Sequence, residues 1–316
     1  MQPLDRSIPP SQKAIPPARD RLQSRLLVGV IVLLLMPRFV AAAVDLGIGV
    51  DVFRTFRNFS QAFGIADRYN LEAVSVSVAF ALLAFAARAA TPAAALCGGL
   101  ICFQVAWLEV GYPPSLLRSL IPAIALLVVL TYLATRFRRA RKEASGIAEP
   151  RSGRRASQVI ASLGIAALCG AFSDMHLPHV AYEVLDLAAI AALAEAAADT
   201  ISSEIGQGIA GPAFLITNLH RVPAGTDGAI SLAGTVAGIV GAATVILAGL
   251  PRPFGSATPL LFTAVLIAAV AGLFFDSLLG ATLERRGWLG NDLVNFFSTA
   301  FAALVSWPLL LLTLRL

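Results

Sequence analysis

Long apolar runs separated by short polar connections make up most of the chain. A helix that crosses the roughly 30 Å hydrocarbon core of a bilayer needs about 20 apolar residues. Nine runs meet that length, with approximate limits 25–44, 71–90, 92–111, 115–135, 157–177, 180–201, 228–249, 258–280 and 293–314. The segment 45–70 mixes charged and aromatic residues, which is typical of an interfacial helix or a loop. The pattern predicts an all-α polytopic membrane protein with about nine transmembrane helices.

The composition agrees with this class of protein. Of the 316 residues, 57% are hydrophobic and 14% are charged, and the mean hydropathy is +0.78, which excludes an ordinary soluble domain. The three cysteines lie inside apolar runs without the spacing of a zinc site or a disulfide framework, so we interpret them as small apolar residues. The first 24 residues are polar and predict a disordered cytoplasmic tail.

The distribution of basic residues predicts the orientation in the membrane. Five lie between residues 6 and 25, and eight lie in the connection 136–155. Since basic connections stay cytoplasmic, an even number of helices must separate these two segments, and four predicted helices do. The N-terminus is therefore expected in the cytoplasm, in a bacterial-type inner membrane or a plasma membrane. The net charge of +5 is explained by orientation, so no nucleic-acid partner is expected.

Two clusters of polar side chains lie near the predicted cytoplasmic ends of helices in the second half. In the first, Glu195, Asp199 and Ser203 are spaced i, i+4 and i+8 and share one helix face, with Thr200 and Glu204 beside them. The other contains Asp276, Ser277, Gly280, Thr282 and Glu284, followed by Asn291 and Asn295 at the start of the last helix. Carboxylates within membrane segments are costly and usually functional, so Asp199 and Asp276 are the main candidates.

A third cluster, residues 220–238, is rich in glycine and precedes the seventh predicted helix. Gly225 and Gly228 allow a tight turn, and Thr226 or Asp227 is expected to cap a helix that starts near Gly228. Such a helix start can hold an anion, with Ser231 beside it and Arg221 adding charge. Gly234 and Gly238 allow a ligand or another helix to approach the backbone closely. This spacing is more common in helix packing than in ligand contact.

The combination of clusters is typical of phosphate chemistry. Two or three carboxylates with hydroxyls and amides can hold Mg²⁺, and a glycine-rich helix start with arginines can hold phosphates. Phosphoryl or nucleotidyl transfer requires these two elements. Two alternatives remain open: a secondary transporter in which Asp199 and Asp276 bind a proton or cation, and a lipid-binding membrane protein without catalytic activity.

Four stretches of these clusters resemble an integral-membrane family known as domain of unknown function 92, which includes transmembrane protein 19. They are ADTISSEIG at 198–206, RVPAGTDGAISLAGTVAG at 221–238, FDSLLGATLERRG at 275–287 and NDLVN at 291–295, with a weaker match in GRRASQVIAS at 153–162. The resemblance covers roughly residues 90–316. It divides the chain into a tail (1–24), N-terminal helices at the edge of the match (25–90) and a family membrane domain (91–316) with its polar site within 180–316.

This family includes a plant phytyl-phosphate kinase, so the resemblance implies a nucleotide-dependent kinase acting on a prenyl-type lipid phosphate. On this hypothesis, Asp199, Glu204 and Asp276 are catalytic and hold Mg²⁺, and a nucleoside triphosphate is the co-substrate. The residues expected to bind substrate or phosphate are Thr200, Ser203, Arg221, Gly225, Thr226, Asp227, Gly228, Ser231, Gly234, Ser277, Gly280, Thr282, Asn291 and Asn295. The lipid tail is expected to lie between helices and to need no apolar pocket within the protein.

Overall fold

The computed structural model describes residues 15–45, 67–106, 119–148, 152–174, 182–209, 211–250 and 258–314. Within these ranges the protein is mostly helical, with one π-helical turn (Gly280–Glu284) and three short strands. The α-helices are α1 (Pro17–Asp45), α2 (Asp67–Ala86), α3 (Pro92–Val105), α4 (Ile121–Arg136), α5 (Arg139–Ala144), α6 (Ala156–Asp174), α7 (Tyr182–Ile209), α8 (Leu232–Gly249), α9 (Thr258–Leu279) and α10 (Asn291–Leu314). The strands are β1 (Ala213–Leu215), β2 (Arg221–Val222) and β3 (Ala229–Ile230).

Each predicted membrane segment contains a helix in the described parts of the chain. Among the described residues, four spans are long and apolar enough to cross a bilayer: Ala156–Ser173, Leu232–Gly249, Thr258–Glu284 and Asn291–Leu312. Shorter apolar helices occupy Glu72–Ala86, Pro92–Val105 and Ile121–Arg136. Most of the segment 45–70 lies outside the described residues. The protein is therefore a mostly helical, multi-pass membrane protein.

Helix α7 lies at the centre of the bundle and contacts α4, α6, α8, α9 and α10. Its residues 188–194 are at most 2% exposed, because their small side chains let several helices approach together. Lipid chains are as apolar as leucine, so close packing of small residues is what holds membrane helices together. The residues directly before the first polar cluster are thus enclosed by protein.

The glycines of α8 serve this packing. A Cβ atom at Gly238 would lie 2.6 Å from the carbonyl oxygen of Ala198, and one at Gly234 would lie 2.5 Å from that of Ser202. Both distances are far below van der Waals contact, so only glycine allows α8 to pack this closely against α7. The helix-packing interpretation of this spacing is confirmed for both glycines.

A small antiparallel sheet between α7 and α8 was not predicted. Its order is β2-β1-β3, with Phe214 opposite Arg221 and also opposite Ile230. Strands of two or three residues are too short to give a period-two pattern, so an all-α prediction missed them. The sheet folds the connection back on itself and forms the turn that contains Gly225 and Gly228.

The start of α8 also differs from the prediction. The helix begins at Leu232, and Ser231 caps it by accepting a hydrogen bond of 3.1 Å from the backbone N–H of Gly234. The hydroxyl of Thr226 donates instead to the carbonyl oxygen of Pro223, at 2.8 Å. The predicted capping role of Thr226 or Asp227 is therefore wrong, because strand β3 occupies the residues between them and the helix.

Several connections meet at one end of the bundle. Arg19 in α1 donates to the carbonyl oxygen of Gly287 (3.1 Å), Gln23 donates to that of Trp288 (2.8 Å), and the Ser24 hydroxyl donates to Asp292 Oδ2 (2.7 Å). Residues 17–24 belong to α1, so the prediction of a disordered tail is wrong for them. Residues 1–14 lie outside the described parts of the chain.

Candidate active site

A polar cavity of about 390 Å³ lies at this end of the bundle. Helix α7, the sheet with its glycine turn and the start of α8 form part of its wall. The end of α9 with the π-helical turn, the start of α10 and the residues before 149 and after 151 form the rest. Most predicted site residues line it, namely Asp199, Thr200, Ser203, Glu204, Gly225, Thr226, Asp227, Gly228, Ser231, Asp276, Ser277, Gly280, Asn291 and Asn295.

Three predicted residues lie outside this lining. Arg221 is exposed on strand β2, and Gly234 is packed against Ser202 of α7. The Thr282 hydroxyl donates to the carbonyl oxygen of Leu278 at 2.6 Å within its own helix. The structure thus does not place these three residues in the wall of the cavity.

Asp199 and Asp276 come from different helices, and their carboxyl groups lie close enough in the cavity wall to interact with each other. Asp276 Oδ2 is buried and has no hydrogen-bond partner within the described part of the chain. A buried carboxylate oxygen without a partner is unfavourable, because it has lost its hydration without compensation. The pair is therefore suited to bind a cation.

The charge of the cavity wall supports the same conclusion. Five carboxylate residues line the cavity, against one arginine among the described residues. The carboxylates are Asp199, Glu204, Asp227, Asp276 and Glu284. Carboxylates that line one cavity repel one another when they are ionised. An anionic ligand could enter such a site only together with cations.

Glu204 is already paired with a lysine. Lys142 is 1% exposed, and its Nζ donates to Glu204 Oε2 and to the carbonyl oxygens of Ala134 (3.2 Å) and Thr135 (2.8 Å). No group of three His, Cys, Asp or Glu side chains in the described ranges is arranged to hold a metal ion. The predicted three-carboxylate ligand set of Asp199, Glu204 and Asp276 is therefore not assembled there, and the charge of Glu204 is neutralised by Lys142.

Arg154 is a cavity residue that the sequence did not single out. Its guanidinium Nη2 donates to the Thr200 hydroxyl at 3.2 Å, and its charge interacts with Asp199. Its backbone is fixed to the turn before α3: its N–H donates to the carbonyl oxygen of Ala89 (2.9 Å), and its carbonyl accepts from the N–H of Thr91 (3.0 Å). The sequence assigned Arg154 to an orientation-setting connection, since nothing local shows that this backbone is anchored.

The glycine turn packs against the π-helical turn. Gly228 has φ +72°, and a Cβ atom there would overlap the backbone nitrogen of Ala281. In return, a Cβ atom at Gly280 would lie 2.8 Å from the backbone nitrogen of Gly228. π-Helical turns are often found at functional sites. Here the turn brings the loop, the start of α8 and Asp276 to one cavity.

Glu195, which shares a helix face with Asp199, is not among the cavity-lining residues. It is 1% exposed, and neither carboxylate oxygen has a hydrogen-bond partner in the described residues. It packs against Gly272 of α9, where a Cβ atom would lie 2.5 Å from the Glu195 Cγ. Glycine at position 272 thus makes room for this side chain inside the bundle.

Comparison with known proteins identifies the family. A family model described as the integral membrane protein family DUF92 matches residues 75–303. The chain belongs to this family. The match includes all the clusters that line the cavity, and it begins earlier than the resemblance of the polar clusters alone suggested.

Three proteins from a plant, a cyanobacterium and an archaeon are similar to this chain. The chloroplast protein VTE6 of Arabidopsis thaliana is 31% identical over 188 residues, which are 58% of this chain and 56% of VTE6. An uncharacterised membrane protein of Synechocystis is 36% identical over 57% of this chain and 71% of its own length. One from Methanocaldococcus jannaschii is 39% identical over 37% of this chain and 48% of its own length. No solved structure matches the chain.

Proposed function

We propose that this protein is a membrane-embedded kinase that transfers the terminal phosphate of a nucleoside triphosphate to an isoprenyl monophosphate. The observation that carries the proposal is the pair Asp199 and Asp276, which line the same polar cavity beside a glycine turn and a helix start. The polar clusters of this chain resemble those of the DUF92 family, which includes a plant phytyl-phosphate kinase. This resemblance supports the substrate class.

The chain's own residues would hold a magnesium nucleotide. Mg²⁺ is commonly bound by one or two carboxylates, with phosphate oxygens and water completing its shell, so Asp199 and Asp276 suffice as protein ligands. Bound there, Mg²⁺ would neutralise charge on the transferring phosphate. Arg154 would bind phosphate oxygens, and the glycine turn with the start of α8 would hold the nucleotide phosphates. Asn291 and Asn295 would orient ligands or water.

The reaction needs no general base. An oxygen of the lipid monophosphate is already anionic, and it would form a bond to the terminal phosphorus of the nucleotide. The bond between that phosphorus and the bridging oxygen breaks, and the electron pair leaves with the nucleoside diphosphate. The products are an isoprenyl diphosphate and a nucleoside diphosphate. The residues contribute by positioning the two phosphates and by neutralising their charge.

The proposal includes an orientation. Nucleotides are available in the cytoplasm, so the end of the bundle with the cavity would face the cytoplasm, with nine crossings and a cytoplasmic N-terminus. Asp276 lies three residues before the end of α9, and Asp199 lies in the second half of α7. Carboxylates near one end of the bundle favour an enzyme over a transporter, whose ion site would lie near the midplane.

The test is phosphate transfer by the purified full-length protein with labelled ATP, Mg²⁺ and farnesyl monophosphate. We expect labelled farnesyl diphosphate, and we expect Asp199→Asn and Asp276→Asn each to reduce the rate at least about a hundredfold, as removal of a charge-stabilising group does. Asp186→Asn is the matched control, since Asp186 lies on α7 outside the cavity and accepts a hydrogen bond from Ser173 at 3.2 Å that an amide can keep.

Two results would contradict the kinase proposal. One is the absence of labelled diphosphate together with proton-coupled uptake by the protein in liposomes, which would indicate a transporter. The other is full phosphate transfer by Asp199→Asn or Asp276→Asn, which would remove the pair from the site.

A further inference from the structure

A second cavity, of about 520 Å³, lies between α2, α3, α4 and α6. Its wall is mainly apolar, with Phe80 from α2, Ala95 and Gly98 from α3, Leu127 and Val128 from α4 and Leu163 from α6. This volume is typical of ligand sites.

One end of this apolar cavity is strongly cationic. Four arginines line it, and no carboxylate is among the described residues of its wall. They are Arg88, Arg136, Arg139 and Arg154. An apolar cavity with cationic groups at one end matches an amphiphile that has one apolar chain and an anionic head.

The cationic end is built by the fold. Arg88 has a left-handed backbone (φ +53°) in the turn between α2 and α3. Ala90 in that turn forms a parallel β-bridge with Arg154, and Gly153 lies so close that a Cβ atom would be 2.6 Å from the carbonyl carbon of Ala89. A non-glycine residue keeps a left-handed backbone only where the contacts around it enforce that conformation. The turn thus fixes Arg88 and Arg154 on the same cavity.

Two further arginines are held in place by neighbours. The guanidinium of Arg136 lies over the ring of Tyr132, 4.3 Å from its centroid, and Tyr132 also lines the cavity. Arg139 Nε contacts Glu143 Oε1 at 3.0 Å. Arginines that are already ordered lose less entropy when they bind a phosphate.

We propose that this apolar cavity is the binding site for the isoprenyl monophosphate, with its chain between α2, α3, α4 and α6 and its phosphate at the arginines. The identity of the head and chain rests on the proposed kinase function. Arg154 lines both cavities and donates to Thr200 of the polar one. A phosphate bound at Arg154 therefore lies at the boundary with the cavity that contains Asp199, where the second phosphate would be added.

The site is tested by binding in the absence of nucleotide. The full-length protein in nanodiscs is photolabelled with farnesyl monophosphate carrying a diazirine on its chain, and labelled peptides are identified by mass spectrometry. We expect labelling within α2, α3, α4 and α6, and we expect unlabelled farnesyl monophosphate to compete with it. Farnesol, which lacks the charged group, should compete with at least about tenfold lower affinity. Inorganic phosphate and phosphatidic acid should also compete at least about tenfold more weakly than farnesyl monophosphate.

Matched variants separate the head site from the chain site. Arg88→Gln and Arg136→Gln should each weaken binding about tenfold, whereas Arg141→Gln, on α5 and outside the wall, should not. Ala95→Phe should fill the cavity and block labelling. Leu96→Phe is its control, because Leu96 is 64% exposed on the outside of the same helix.

The outcomes distinguish this site from the kinase proposal. Binding that shows the expected variant effects without any phosphate transfer supports the lipid site and contradicts the kinase. Phosphate transfer that is unchanged in Ala95→Phe, or labelling that maps to other helices, overturns the lipid site. Equal competition by farnesol or by phosphatidic acid also overturns it.

Discussion

Lys142 and Glu204 form an ion pair that is shielded from solvent between α5 and α7. Lys142 is 1% exposed, although lysine is seldom buried unless it is paired. Lys142→Met would leave the Glu204 carboxylate without a counter-charge, which typically costs about 3–5 kcal/mol. We expect a markedly lower thermal denaturation temperature for the purified protein.

The double variant Lys142→Met with Glu204→Gln provides the control for this pair. It removes both charges, so it should recover most of the stability that the single change loses. A single Lys142→Met variant as stable as the unchanged protein would show that the pair does not stabilise the fold.

Glu195 presents the opposite situation, a buried carboxylate whose oxygens have no hydrogen-bond partner in the described residues. Glu195→Gln keeps the shape of the side chain and replaces an ionisable group, whose charged form is unfavourable in this buried position, with a neutral amide. We expect a thermal denaturation temperature at least equal to that of the unchanged protein, and we expect phosphate transfer to persist. A lower denaturation temperature would indicate that Glu195 has a charged partner.

At the scale of elements, the contact between the glycine turn and the π-helical turn is the most sensitive to substitution. Gly228→Ala would place a Cβ atom against the backbone of Ala281 at a residue with φ +72°, a strain of about 1–3 kcal/mol. Phosphate transfer should fall about tenfold or more while the helix content by circular dichroism stays the same. Gly211→Ala is the matched control, since a Cβ atom there meets nothing within 4 Å.

The comparison of sequence and structure is also clearest at this scale. Hydropathy predicted the helices because each apolar run is about as long as a bilayer-spanning helix requires. Carboxylates such as Asp199 and Asp276 were easy to recognise within these apolar runs. The sheet between α7 and α8 was missed because its strands are too short for a pattern. Arg154 and Lys142 were missed because their roles depend on contacts with residues distant in the sequence, which local patterns do not contain.

At the scale of the whole molecule, the bundle places both cavities at the same end. Arg154 lines the two of them, and the start of α1, the start of α10 and the connection after α4 lie at this end as well. Phe137, directly after α4, illustrates this: a Cβ atom at Gly208 of α7 would lie 2.7 Å from its ring. A single end for nucleotide and lipid phosphate is what direct transfer between them requires.

This arrangement predicts which side of the membrane each end faces. Ser145 follows α5 at the cavity end and is exposed, whereas Thr258 lies at the start of α9, at the opposite end. Each is replaced by cysteine in a separate variant. A membrane-impermeant maleimide should label Ser145→Cys only in inside-out vesicles and Thr258→Cys only in right-side-out vesicles, because the basic connection 136–155 stays in the cytoplasm. The native cysteines are buried, so the unchanged protein serves as the blank. Labelling of Ser145→Cys in right-side-out vesicles would show that both cavities open away from the cytoplasm, where the nucleotides are. This result would rule out the proposed reaction in cells.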